Sequence, residues 1–462
     1  MRAVFLLLLG GWAMGSNWTM AGESGQVSSP RTSMGWPAPL SDEDAWKLLP
    51  AADVGQGSRL PSWARMLARQ LPRTTAALLE LDFAQRTAGP IPPLERAAMR
   101  YVAALELGGD YAIASTREDV KRAGATESQL SGLNDPAFPG WTDPQRAALS
   151  FARSMTVDSD GISDEQFAAL VSAYGERTTA SMVLLMAYAN FHHRLTFGLG
   201  SPVEEGGALA PVEVDFPQSA LVLKTTPPPP GAPTGLPKQT GTDQIVDEAN
   251  WVAFSYDEWQ KRIEAQRNKP TRLRIPEWSE FEQDLPAGMM TKPSDIIWYR
   301  IVFGYAPELA VPYEYFMRTA GTEVSRNWDR IFGNSLFWMV TRGMKCPYCM
   351  GHCEMNWEVA GLSAEEIAER SRVLSSNDWS SFSLPEQRAL EFAIQFTDTP
   401  LNVTAEQMEA LREGFGEERA LYILLNTARY HYMTRISNGF QLKLERENVF
   451  YDYYNQAPPP KK

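Results

Sequence analysis

Cysteine is nearly missing from this chain. Three of 462 residues are cysteines, and Cys346, Cys349 and Cys353 all fall in the stretch 345–354, which reads KCPYCMGHCE. A set so small and so clustered excludes a disulfide framework as the source of stability. Basic residues are also short: 43 Lys and Arg against 56 Asp and Glu leave a net charge of −13. That balance excludes a nucleic-acid partner, because phosphates need a basic face, and it suits anionic membrane surfaces poorly. Beyond the first residues there is no apolar run of the roughly 20 residues that a bilayer-spanning helix needs. Sustained alternation of apolar and polar residues, the mark of half-buried strands, is missing too.

What the chain does have is helical punctuation. Its first residues, MRAVFLLLLGGWAMG, give a short positive start, a brief apolar run and small residues. This predicts an export signal over 1–22, with cleavage after Gly15 or Ala21, and a periplasmic or secreted protein. No cysteine lies near either point, so a lipoprotein anchor is excluded. An oxidising compartment lets a disulfide persist. Residues 23–40, rich in Ser, Gly, Pro and Thr, are expected to lack fixed structure. Ser41 with Asp42, Glu43 and Asp44 marks a helix start. Pro92-Pro93 introduces a helix over 94–107, with Ala98, Tyr101, Val102 and Leu105 on one face. Ser163-Asp164-Glu165-Gln166 is a capping box, and 178–195 reads as a long apolar helix.

Residues 211–242, with four prolines at 227–230, read as a stiff linker. The text after it repeats the text before it. Ser255-Tyr256-Asp257-Glu258-Trp259 echoes the start at Ser41, Ile275-Pro276-Glu277-Trp278 echoes Leu60-Pro61-Ser62-Trp63, and Ala306-Pro307 echoes Leu71-Pro72. Thr404-Ala405-Glu406-Gln407 echoes Ser163–Gln166, and Arg435 echoes Arg194. Ordered matches predict a duplicated all-α unit, with domains at 41–210 and 243–455 and a loose tail over 456–462. The repeat also serves as an internal control. Gly109–Thr116 lies under Cys346–Cys353, with the tyrosine kept and all three cysteines and His352 replaced. The fold therefore does not require the thiols.

Cys346 is expected near a helix N-cap, with Pro347 at the first helical position and Gly361 ending the helix. A helix N-terminus lowers a thiol pKa. Cys346 and Cys349, at i and i+3, share a face, and Cys353 lies one turn beyond Cys349. Such a pair can close a disulfide or clamp a soft metal.

On these residues the chain resembles the carboxymuconolactone decarboxylase / alkylhydroperoxidase D-like family. The likeness covers the C-x-x-C helix, the helix end at Ala360-Gly361 and the later helices up to Arg435-Ile436-Ser437-Asn438. It implies an all-α fold of two tandem alkylhydroperoxidase-like domains, often oligomeric, with the fused duplication replacing one dimer contact. It further implies that Cys349 attacks a peroxide and Cys346 resolves it as a disulfide. No organic cofactor is implied; a thiol electron donor is. The family's proton-relay histidine falls at Cys353 and its glutamate at Asn334, while His352 stands one residue earlier, about 100° around the helix. The sequence-level site is therefore Cys346, Cys349, His352, Cys353 and Asn334, with His431 reaching in from the penultimate helix. The expected function is reduction of a small peroxide or exchange with a disulfide. Two other readings stay open: a non-catalytic helical module in which the three cysteines, with His352 or His431, hold zinc, and a decarboxylase of the family's other branch.

Overall fold

The computed structural model describes residues 34–221, 254–287, 289, 294–324 and 328–454. Among them the fold is all-α, and the one β feature is an isolated bridge between Val54 and Asp215. The expected export signal, the four-proline run and the tail over 456–462 lie outside the described residues. No helix among the described residues is long and apolar enough to cross a membrane.

The punctuation acts as its chemistry dictates. Ser41 caps Asp42–Leu48 through the Asp44 N–H, and Thr404 and Gln407 close a capping box at Ala405–Phe415. Pro93 opens Pro93–Leu107, and Gly108 ends it in the left-handed region at φ 76°. Gly175, at φ 79° and ψ 164°, breaks the apparent helix Asp164–Leu199 in two. Gly416, 241 residues on (416 − 175), has φ 78° and ψ 162° and separates Ala405–Phe415 from Glu417–Phe440. A side chain at that φ would be strained, so both halves need glycine for the same turn.

The two halves therefore share an order of helices. Pro72–Thr87, Pro93–Leu107, Asp110–Arg122 and Asp143–Val157 are matched by Pro307–Val324, Arg330–Gly343, Pro347–Val359 and Leu384–Asp398. One sequence match is corrected. Ser62–Leu67 is answered by Ile297–Tyr305, directly before the Pro307 helix, and not by residues 275–278. The first backbone N–H of each helix, from Ser62 or Ile297, donates to a buried glutamate of its own half, Glu204 or Glu445.

The described residues pack as one compact unit. Asp164–Leu199 lies along Glu417–Phe440, and Pro72–Thr87 along Pro307–Val324, so equivalent helices meet each other. Arg435 donates to the Thr156 carbonyl at 3.0 Å, and Arg194 to the Thr397 carbonyl at 3.5 Å. Reciprocal contacts between equivalent residues are the pattern of an isologous interface, here within one chain. Two expectations need correction at their edges. Residues 34–40 are not loose: Trp36 is buried and its indole N–H reaches the Gly198 carbonyl at 2.9 Å. The first part of the expected linker also packs, with Phe216 buried and its N–H on Glu80 at 2.6 Å. Each segment carries a large aromatic whose burial outweighs its Pro- and Gly-rich surroundings.

Candidate functional site

The chain leaves Arg330–Gly343 through a tight turn at Lys345, a non-glycine residue at φ 50°. Gly108 holds the same place in the first half. Cys346 then serves as N-cap, accepting the Cys349 N–H at 3.4 Å, and Pro347 is the first residue of Pro347–Val359. Gly361, at φ 98°, ends the helix. The thiol at the helix N-terminus was expected to ionise easily. Instead, burial and the adjoining Cys349 push the Cys346 thiol well up, because a desolvated thiolate outweighs one N–H contact.

The Cys346 and Cys349 sulfurs are 2.8 Å apart, with no disulfide between them. Cys349 also reaches the Ser437 hydroxyl at 3.4 Å. Of the three cysteines only Cys349 lines a cavity of about 230 Å³. Cys346 lies behind it, and Cys353 is fully buried outside the lining, with burial pushing its thiol well up. The walls are aromatic, among them Trp298, Tyr313, Tyr348, Tyr430, Phe450 and Tyr453. Asn334 is in the wall too, and its amide donates to the Arg330 carbonyl at 2.8 Å.

His352 shares this cavity with Cys349 and is only 6% exposed, so it is not the solvent-facing polar residue its place in a helix allows. Its Nε2 lies 2.7 Å from Glu445 Oε2. Glu445 Oε1 accepts the Tyr348 hydroxyl at 3.1 Å and the Ile297 N–H at 2.7 Å. Burial alone would raise the Glu445 carboxyl, but His352 and the Ile297 N–H outweigh it and hold the group below its ordinary value. Burial and the neighbouring Glu445 push Tyr348 well up, so its hydroxyl stays a donor. Sequence reasoning missed Glu445. A signal was present: Tyr111 and Glu204 make the same 3.0 Å bond in the first half, so the kept tyrosine had a kept carboxylate.

His431 does not belong to the site. It accepts Arg435 at 2.8 Å on Nδ1 and faces the Thr397 hydroxyl at 3.3 Å. Asn190, its counterpart, accepts Arg194 at 2.9 Å and donates to the Thr156 hydroxyl at 3.1 Å. Burial, then Arg194 and Arg435, hold the His431 imidazole far below its usual range, neutral at the seam between halves.

In the first half the equivalent space is filled. Asp82, Arg100, Asp119, Tyr188 and His192 stand where the cavity has Met317, Phe337, Asn356, Arg429 and Met433. Arg86 bonds Asp82 at 3.0 Å and Asp119 at 2.8 Å, Arg100 bonds Asp119 at 2.7 Å, and Tyr188 donates to Asp82 at 2.8 Å. His192 stacks on Tyr188.

Among the described residues no three His, Cys, Asp or Glu side chains come together as a metal site. Cys353 is buried outside the cavity that Cys349 lines, and His431 is bound to Arg435, so the zinc set expected from the sequence does not assemble. No protein-family model matches this chain, and no curated protein matches it significantly.

Proposed function

We propose that the second half is a dithiol peroxidase acting on small organic hydroperoxides. One observation carries the reading: the single cysteine that lines the aromatic cavity has a second cysteine sulfur 2.8 Å behind it. The Cys349 thiolate attacks the terminal peroxide oxygen, the O–O bond breaks, and the alcohol leaves with a proton. Cys349 is then a sulfenic acid. Cys346 gives up its proton and attacks the Cys349 sulfur, water leaves, and a disulfide forms. The dithiol has supplied both electrons, and an external dithiol restores it.

The surroundings suit each step. The Cys346 thiol and the Ser437 hydroxyl are the groups beside the Cys349 sulfur that can solvate a thiolate. His352, fixed by Glu445 and one turn from Cys349 on the same helix face, is placed to protonate the departing alkoxide. A cysteine only 2% exposed favours a small molecule over a protein disulfide as the oxidant. The resemblance to the alkylhydroperoxidase-like family supports the same roles for the two cysteines. Export, if the N-terminal apolar segment directs it, would set the reaction in an oxidising compartment.

The test is hydroperoxide consumption by the reduced protein, followed with mass spectrometry of the thiols. Wild type should gain one Cys346–Cys349 disulfide per peroxide consumed, and Cys349→Ser should be inert. Full activity in Cys349→Ser would return the thiols to a structural role.

A further inference from the structure

Resting on that reading of the cavity as the reaction site, we infer that its substrate carries a carboxylate, held by Arg330 and Arg429. Both guanidinium-bearing side chains line the cavity, and neither makes an ion pair among the described residues. Nearby arginines do: Arg318 with Glu314, Arg300 with Glu277 and Arg267 with Glu264. Other arginines without an ion pair, such as Arg96 and Arg435, spend their donors on backbone carbonyls instead.

Their present contacts are weak substitutes. Arg429 Nε and Nη2 share one amide oxygen, Asn426 Oδ1, at 3.0 and 2.8 Å. Its Nη1 faces the thioether sulfurs of Met317 and Met433, which are poor acceptors. Arg330 lies 4.0 Å over the Tyr454 ring, and its Nη2 is buried with no hydrogen-bond partner. The Trp298 indole N–H, on another wall and 7% exposed, is also buried and unpartnered. Unmade bonds at buried charged donors are costly, and native proteins rarely leave them. A carboxylate answers a guanidinium fork with two parallel bonds. The remaining wall is aromatic, and about 230 Å³ falls below the range of about 300–1,000 Å³ for drug-sized pockets. The ligand is therefore a small aromatic or compact apolar acid, in this reaction a hydroperoxide bearing a carboxylate.

The test separates binding from chemistry. Benzoate and benzamide, similar in shape but differing in charge, are titrated into the reduced full-length protein by calorimetry. Benzoate should bind at least about tenfold more tightly, a difference of about 1.4 kcal/mol. Arg330→Gln and Arg429→Gln should each abolish that preference and leave benzamide unchanged, and Cys349→Ser should keep it. Thermal melts check that the variants fold; if Arg429→Gln does not, Arg330→Gln decides alone. Equal binding of the two probes, binding of neither, or a benzoate preference that survives Arg330→Gln overturns the inference. A charge-dependent benzoate site in a protein that consumes no peroxide leaves the carboxylate site standing and removes the peroxidase reading.

Discussion

Glu445 and Glu204 form a matched pair, and the difference between them can be measured. Each sits in the same place of its half, accepts a helix-starting N–H and accepts a tyrosine hydroxyl. They differ at Oε2: that of Glu445 pairs with His352 at 2.7 Å, and that of Glu204 is buried without a partner. Replacing each by Gln keeps the shared acceptor and changes only the second oxygen. At 445 a hydrogen bond to a carboxylate, worth about 1.5–3 kcal/mol, becomes an ordinary one of about 0.5–1.5. At 204 no bond is lost and a buried charge is removed. Glu445→Gln should therefore be less stable than Glu204→Gln by about 1–2 kcal/mol. At roughly 2–4 °C per kcal/mol for chains of 150–250 residues, and about half that for a chain of this length, the melting points should differ by about 1–4 °C. The sign of the pH dependence is fixed. The Glu445 carboxyl is held below its ordinary 4.5, so its contribution is complete above that pH and is lost as pH falls through the lowered value. A cycle with His352→Phe should return a coupling of about 0.5–3 kcal/mol. Equal melting points for the two Gln variants at neutral pH would refute the pairing, as would a difference that persists after the carboxyl is protonated.

Other outcomes follow from the same geometry. Cys346→Ser should consume one peroxide and stop with a trapped sulfenic acid on Cys349, detectable by dimedone labelling, while Cys353→Ser, outside the cavity, should turn over at close to the wild-type rate. His352→Ala should slow peroxide consumption and still yield the disulfide, read by stopped flow and mass spectrometry. His431→Asn, which installs the first half's own solution, should leave the rate unchanged and the fold intact by circular dichroism. His192, lowered by burial from 6.5 to about 4, favours the fold above pH 6.5 and progressively less as pH falls through about 4. At 1.36 kcal/mol per unit this is about 3 kcal/mol, so His192→Phe should flatten the loss of melting temperature between pH 6.5 and 4.

Local signals carried most of the fold. The acidic start after Ser41, the Pro92-Pro93 pair, the capping box at Thr404 and the Cys346-Pro347 step each act within one turn of backbone, and such short-range chemistry can be read from the letters. At Ser163 only the cap forms, because the Gln166 side chain turns to the Ser154 hydroxyl instead of closing the expected box. Segments 34–40 and 211–221 misread because composition reports propensity, while Trp36 and Phe216 are fixed by distant surfaces. The echo at Ile275–Trp278 misled because it matched letters; Trp63 and Trp298 hold the equivalent places and share little else around them. The site divided in the same way. The cysteine pair announced itself by spacing. His431 looked available because its partners are not visible in the letters: Arg435 stands one turn along the same helix, and Thr397 is brought in by helix packing. Glu445 is 93 residues from His352, and Arg330 and Arg429 become notable only once their lack of carboxylates is visible in three dimensions.

The two halves also explain why one fold holds both a filled core and a cavity. Where the first half has Asp82, Arg100 and Asp119, it closes a network in which Arg86 and Arg100 share Asp119. Removing one member of such a buried set leaves an uncompensated charge, at a cost of about 3–5 kcal/mol. Only replacing all four members, Arg86 included, as Met317, Gly321, Phe337 and Asn356 do, leaves no charge stranded. What remains in the second half is an open, mostly aromatic space, with an arginine at the position of Tyr188. Tyr188 satisfies Asp82 from within the protein. Arg429, facing Met317 across the same gap, has no such acid. Where the first half closes an internal ion network, the second holds a cavity that takes its anion from outside, and Cys349 faces that cavity.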